Sequence, residues 1–313
     1  MQKDVLITDY VHPVLIPGLQ ALGYTTTYAP TMRREEMERV LPLYKGVVIN
    51  TRCALDQKSI SSARQLRWIA RLGSGLDIID LEAAKSQNIT VLSAPEGNAQ
   101  AVAEHAMGMV LALRHKLLSS DQSVRRGAWE RENHRGLEIM GKTIGIIGYG
   151  NNGSAFGRLW KGWEVNVIAY DKYLSGFGDD FVKEVSLEAL QQEADIISLH
   201  IPLTPETTEM VDKGFLGKCK NGLVLINTAR GKNVRLEDVV AAMQSGQLSG
   251  VCLDVFPYEP PQKGSEDFKK VFDALCQMPN VVLSPHVAGW TVESKQKIAE
   301  VLLRKISTVS IPG

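Results

Sequence analysis

The sequence predicts an α/β protein built from two doubly wound units, each a parallel sheet with helices on both faces. Three observations carry that expectation. Short apolar runs alternate with helical patterns and short loops along the whole chain. Only the later stretch of alternation holds glycines at G-x-G-x-x-G spacing, Gly148, Gly150 and Gly153, so residues 1–95 read as a separate unit. No repeat of solenoid period and no low-complexity tract competes with this organisation.

In the first unit, strands are expected at Val5–Thr8, Tyr24–Tyr28, Gly46–Asn50, Trp68–Leu72 and, shorter, Val91–Ser93. Helices are expected at Leu15–Leu22, closed by Gly23, at Arg33–Leu41 and at Ser59–Ala63. Pro95 and Gly97 are expected to break the pattern. A helix Ala99–Leu118 follows, with Val102, Ala106, Met109, Val110, Leu113 and Leu117 on one face. Arg125–Gly136 is polar and basic, carries Trp129, and reads as a surface excursion.

The second unit opens on the buried-type strand Ile144–Tyr149. Further strands are expected at Val165–Tyr170, Asp195–Leu199, Leu223–Asn227, Gly250–Asp254 and Val281–Ser284. Helices are expected at Leu187–Gln192, Val211–Lys218, Leu236–Ser245 and near Asp267–Leu275. The final helix, Val292–Thr308, is expected to cross back to the first unit.

Composition bounds the partners. The 313 residues are 44% hydrophobic and 22% charged with a formal net charge of zero, so nothing suggests a nucleic-acid or anionic-membrane surface. Cys53, Cys219, Cys252 and Cys276 are scattered and read as thiols in a reducing compartment, not as a disulfide framework or a zinc site. There is neither a signal-peptide core at the N-terminus nor a run long enough for a membrane helix, so a cytoplasmic protein is the default.

The glycine turn sits between a strand and a helix and is followed by a second strand ending in Asp171. Gly148 permits the tight turn, Gly150 lets a pyrophosphate approach the backbone, and Gly153 lets the helix pack close. Amides at the start of the helix, around Asn151 and Asn152, point at the phosphates. Asp171 is placed to accept from the adenosine ribose hydroxyls and to repel a 2′-phosphate, which favours NAD over NADP. Lys172, directly after it, could soften that exclusion. Asn152 stands where an apolar residue is usual, and looser packing is expected there.

Three candidates for chemistry follow strands of the second unit: Arg230 in NTARG, Glu259 in DVFPYEP and His286 in SPHVAG. In open α/β sheets, ligands bind beyond the carboxyl ends of strands. A histidine can move the proton that accompanies hydride transfer at a carbonyl. A carboxylate beside it would fix the tautomer and raise the imidazole pKa. An arginine fork would bind a substrate carboxylate and polarise the adjacent carbonyl, as a 2-hydroxy or 2-oxo acid requires. Each residue alone reads more readily as a surface charge (Arg230), a loop carboxylate (Glu259) or a helix cap (His286) than as catalytic; together, at three strand ends, they point to one site.

The sequence resembles the D-isomer-specific 2-hydroxyacid dehydrogenases. The carriers are GYGNNG with Asp171, HIPLTPETTEMV (His200–Val211), NTARG, DVFPYEP, SPHVAGWT, RLGSGLDIID (Arg71–Asp80) and GNAQAVAEHAMG (Gly97–Gly108). The resemblance implies a Rossmann NAD-binding domain, residues 96–286, inserted into a flavodoxin-like substrate domain, residues 1–95 and 287–313. It implies that Arg230 binds substrate, Glu259 supports the histidine and His286 is the acid/base. It further implies that His200, Pro202, Thr207, Thr228, Ala229, Asp254 and Gly289 line the cofactor, Asp254 receiving the nicotinamide carboxamide. Gly73, Ser74 and Gly75 would hold the substrate carboxylate through their amides.

Within the family the chain is most similar to 3-phosphoglycerate dehydrogenases, in a short form without their regulatory C-terminal domain. Arg52, Arg71 and Arg131 match arginines placed around a substrate phosphate, whereas Asn50 stands where some relatives carry another arginine. Glyoxylate or hydroxypyruvate reductase is the alternative, and an NAD-sensing corepressor-like binding protein a more distant one. No metal is expected, and a homodimer is implied by the resemblance.

Overall fold

The computed structural model describes residues 4–309, which divide into two compact units. One comprises the described residues of Met1–Ala99 and Gly289–Gly313; the other is Gln100–Ala288.

The first unit holds β1 (Asp4–Ile7), α1 (Leu15–Ala21), β2 (Thr25–Tyr28), α2 (Arg34–Val40), β3 (Gly46–Ile49), α3 (Gln57–Ser62), β4 (Trp68–Arg71), α4 (Leu81–Ser86) and β5 (Thr90–Leu92). Its five strands are all parallel in the order β2-β1-β3-β4-β5. Asp56 and Asp80 cap α3 and α4 by accepting from the Ser59 and Ala83 amides at 2.9 Å each.

Helix α5 (Pro95–Arg114) begins in the first unit and ends in the second. Pro95 and Gly97 do not break it, contrary to the sequence expectation. Proline at the first turn lacks only an amide that would have no helical partner there. A Cβ on Gly97 would meet the Ile298 amide nitrogen at 2.7 Å, so the glycine admits a neighbouring backbone. The expected helix end at Leu118 is also corrected: Lys116 turns to φ +52°, and a separate α6 (Leu117–Arg125) starts after it.

The second unit continues with β6 (Thr143–Ile147), α7 (Asn151–Leu159), β7 (Asn166–Tyr170), β8 (Val182–Glu184), α8 (Leu187–Glu193), β9 (Ile196–Leu199) and α9 (Lys213–Leu216). It closes with β10 (Leu223–Asn227), α10 (Leu236–Ser245), β11 (Leu248–Leu253), α11 (Glu266–Cys276) and β12 (Val281–Leu283). Its seven strands are parallel in the order β12-β11-β10-β9-β6-β7-β8. β9 and β10 are buried along their whole length, as central parallel strands must be.

The last helix, α12 (Val292–Ser307), belongs to the first unit's core. Ile298, Leu302 and Ile306 are buried in one cluster with Val5, Ile7, Leu15 and Trp68. At roughly 2 kcal/mol for each buried aliphatic side chain, this helix is an integral part of that unit. No helix among the described residues is long and apolar enough to cross a membrane. Cys53, Cys219 and Cys252 are buried and Cys276 is exposed; burial pushes the Cys219 thiol up to about 12.

Candidate active site

The seven-stranded sheet reverses its direction of growth at β6, which has β7 on one side and β9 on the other. The crevice beyond that point is where an open α/β sheet takes its ligand. Gly148 follows β6 with φ +89°, and a Cβ on it would meet the His200 carbonyl oxygen at 2.6 Å. A Cβ on Gly153 would lie 1.9 Å from the Gly148 carbonyl oxygen, so this position in the first turn of α7 admits only glycine. Gly150 caps α7 and has open space where a Cβ would stand. These observations fit a pyrophosphate cradle beneath a helix N-terminus.

Asp171, one residue past β7, is tied to the same turn. Its Oδ2 accepts from the Tyr149 amide at 2.7 Å, and its Oδ1 from the Tyr173 and Leu174 amides at 2.9 and 3.0 Å. The carboxylate is fixed, with acceptor capacity left for ribose hydroxyls. Asn151 is exposed, whereas Asn152 Oδ1 is enclosed without a hydrogen-bond partner.

Arg230, Glu259 and His286 are brought together in this unit. Nδ1 of His286 lies 2.6 Å from Glu259 Oε2, and Glu259 Oε1 accepts from the Phe256 amide at 3.1 Å. Burial alone would raise the Glu259 pKa. The bond to His286, the charge of that ring, the Phe256 amide and the Arg230 charge outweigh it and hold the carboxyl below its usual range. Gly231 is why Arg230 is near: a Cβ on it would meet the Phe256 carbonyl carbon at 1.9 Å. The NTARG turn therefore lies directly against the backbone of the loop that carries Glu259. With Nδ1 committed to Glu259, Nε2 is the nitrogen left to exchange a proton.

Residues 107–288 match the family described as "D-isomer specific 2-hydroxyacid dehydrogenase, NAD binding domain". A hydroxypyruvate reductase of Thermotoga maritima is 34% identical over 275 residues, 88% of each chain. The chain belongs to the D-isomer-specific 2-hydroxyacid dehydrogenases. A D-3-phosphoglycerate dehydrogenase of Archaeoglobus fulgidus is 34% identical over 304 residues, covering 96% of this chain and 56% of that protein. The chain thus spans little more than half the length of the phosphoglycerate dehydrogenases it matches. A D-lactate dehydrogenase of Aquifex aeolicus, solved with NAD and lactic acid, superposes with TM-score 0.83 at 27% identity, covering 97% of this chain and 94% of the other.

In this dehydrogenase-family chain the loop bearing His286 is shaped by Asp254, which is wholly buried. Its Oδ1 accepts from the Ser284 hydroxyl at 2.5 Å and the Val287 amide at 2.9 Å, and its Oδ2 from the Ala288 amide at 2.9 Å. His105 on α5 completes the network, its Nε2 lying 2.8 Å from Ser284 Oγ. Ser284 and His105 stand inside quoted motifs but were not singled out from the sequence, because neither spacing nor periodicity shows this contact. Asp254 therefore positions the loop; a carboxamide contact would have to use the remaining acceptor capacity of Oδ2.

The resemblance implies that His200 lines the cofactor; its side chain is engaged within the unit. Its ring is turned inward, 5.2 Å from the Phe156 ring, with Nε2 2.9 Å from Ser198 Oγ. Burial pushes that imidazole down to about 3, so it is neutral. Pro202 and Thr207 belong to one turn, the Thr207 hydroxyl donating to the Pro202 carbonyl at 2.7 Å. Asn227 holds the NTARG turn by accepting from the Ala229 amide at 3.0 Å and donating to the Arg230 carbonyl at 2.9 Å. Thr228 is buried with Oγ1 unpartnered.

The remaining candidates lie in the first unit. Arg71 ends β4, and its guanidinium lies where a Cβ on Gly73 would be. The Ser74 hydroxyl is 2.6 Å from Asn98 Oδ1, and a Cβ on Gly289 would meet Asn98 Nδ2 at 2.6 Å. Asn98 thus joins the two predicted loops and was not singled out from the sequence. Arg52 is folded onto the strand ends, donating to the Thr8 carbonyl at 2.9 Å and to the Pro30 carbonyl, with Asp9 3.5 Å away. Gly75 stands in the same loop as Ser74, and Arg131, in the second unit, is exposed.

Proposed function

We propose that this protein is an NAD-dependent dehydrogenase acting at C2 of a D-2-hydroxy acid, with 3-phosphoglycerate the foremost substrate and 3-phosphohydroxypyruvate its product. The observation that carries the reaction class is the His286–Glu259 pair at 2.6 Å, with Arg230 held beside it through Gly231. Bound NAD would supply the hydride acceptor. His286 Nε2 takes the hydroxyl proton, Glu259 stabilises the imidazolium so formed, and Arg230 anchors the substrate carboxylate. The 3-phosphoglycerate assignment is supported by the phosphoglycerate dehydrogenases among the relatives and by Arg52 and Arg71 at strand ends of the first unit.

Glyoxylate or hydroxypyruvate reduction is the second reading. It is favoured by the engagement of Arg52 with Asp9, Thr8 and Pro30 and by the match to the Thermotoga enzyme over 88% of each chain. A homodimer is supported by exposed apolar side chains on and after α6: Leu117, Leu118, Val124, Trp129, Leu137 and Met140.

NADH absorbance followed with 3-phosphoglycerate and NAD, and with hydroxypyruvate or glyoxylate and NADH, separates the two substrates. His286→Asn is expected to lower turnover by about 10²–10⁴-fold while NADH still binds. Full turnover in that variant would remove the histidine from the reaction.

A further inference from the structure

Lys172 follows β7 and Glu206 follows β9, the two strands that flank β6. Their side chains meet: Glu206 Oε2 is 2.5 Å from Lys172 Nζ and accepts from the Tyr173 hydroxyl at 3.0 Å. Lys172 Nζ also lies 5.6 Å from the centre of the Tyr173 ring. One carboxylate oxygen thus gathers both groups that follow Asp171.

The turn that presents Glu206 is well braced. The Thr204 amide donates to Thr207 Oγ1 at 2.8 Å, and the Thr208 amide and hydroxyl donate to the Thr204 carbonyl at 2.9 and 2.8 Å. Asn233 Nδ2 donates to the Thr207 carbonyl at 3.1 Å, tying this turn to the segment after Arg230. Glu206 therefore reaches Lys172 from a braced backbone turn.

Asp171 next door is already committed to three backbone amides and cannot swing away from a phosphate on the ribose. The cation that directly follows it in sequence is Lys172, and Lys172 is engaged by Glu206. We propose that Glu206 is a specificity-determining residue: by pairing with Lys172 it withholds the ammonium that would otherwise receive a 2′-phosphate, and so keeps the site selective for NAD. This rests on the dinucleotide-binding role proposed above.

The charges support it. Asp171, Lys172 and Glu206 sum to one net negative charge; without Glu206 they sum to zero. At separations on the order of 5–10 Å in a water-like medium, one unit charge acting on a phosphate dianion amounts to a factor on the order of ten in affinity. The two paired side chains are 53% and 55% exposed, so the pair contributes little to folding and its effect is screened by salt.

The test is calorimetric titration at low ionic strength with adenosine 2′,5′-bisphosphate and, separately, ADP. Glu206→Gln is expected to tighten the 2′,5′-bisphosphate on the order of tenfold, to leave ADP nearly unchanged, and to lose the gain as salt is added. Adding Lys172→Met should abolish the gain. Equal tightening of both nucleotides, no tightening, or a gain that survives Lys172→Met would overturn the proposal. Failure of ADP to bind the unsubstituted protein would instead overturn the dinucleotide reading on which it stands.

Discussion

The Asp254 carbonyl accepts the His286 amide at 2.7 Å, and the carboxylate of the same aspartate takes the next two amides at 2.9 Å each. His286 sits at φ +56°, a left-handed conformation that costs a non-glycine residue about 1–2 kcal/mol. The clamp offsets that cost and aims the ring at Glu259.

Asp254→Asn replaces an acceptor by an amide donor among three protein donors. Loss of hydrogen bonds to a buried charge should lower unfolding stability by about 2–3 kcal/mol. Because the ring would lose its aim, turnover should fall far more than NADH affinity does. Urea unfolding and fluorescence titration of NADH check the two parts, and a parallel fall in both turnover and affinity would contradict the positioning role.

Glu259 is depressed below 4.5 in the folded state. A depressed carboxyl contributes stability that is present above its unfolded value and lost as pH falls through the folded one. The stability gap between the unsubstituted protein and Glu259→Gln should therefore hold near pH 6 and shrink below about 4.5, as read from urea midpoints. Turnover of Glu259→Gln at neutral pH should fall by about tenfold or more, since the imidazolium loses its counter-charge.

Gly231→Ala forces a Cβ to 1.9 Å from the Phe256 carbonyl carbon, where only backbone could yield. The expected cost is about 3 kcal/mol, with turnover lost as Arg230 and Glu259 are driven apart. Gly246→Ala is the control: its φ is +79° but the space around it is open, so about 1 kcal/mol is expected. Thermal melts of both variants compare the costs.

The neutral, half-buried His200, whose ring is turned inward, should make the fold acid-sensitive. Its folded pKa is about 3 against 6.5 for the free side chain, so between these values the unfolded chain binds the extra proton. Stability from this group is full above 6.5 and falls by about 1.4 kcal/mol for each pH unit below it. His200→Gln should flatten the pH dependence of the urea midpoint between pH 6.5 and 5.

Much of this was legible in the sequence, for physical reasons. Parallel strands buried on both faces must be apolar runs, so β10 and α10 lie where the pattern put them. β8 escaped because an edge strand of three residues, Val182–Glu184, carries no such run. The start of α5 escaped because proline and glycine there serve a first turn and a close approach, not a break. Among site residues, Arg230, Glu259 and His286 could be found because each follows a strand. The work of Asn98, Ser284 and His105 depends on partners distant in sequence, which no local pattern reveals.

The contact at Gly231 has an evolutionary corollary. It welds the guanidinium turn to the acid's loop, and the acid to the histidine, so these three can drift only as one block. A lineage that changes its preferred hydroxy acid would leave that block alone and rewrite side chains elsewhere, so one proton-handling unit could serve many diets.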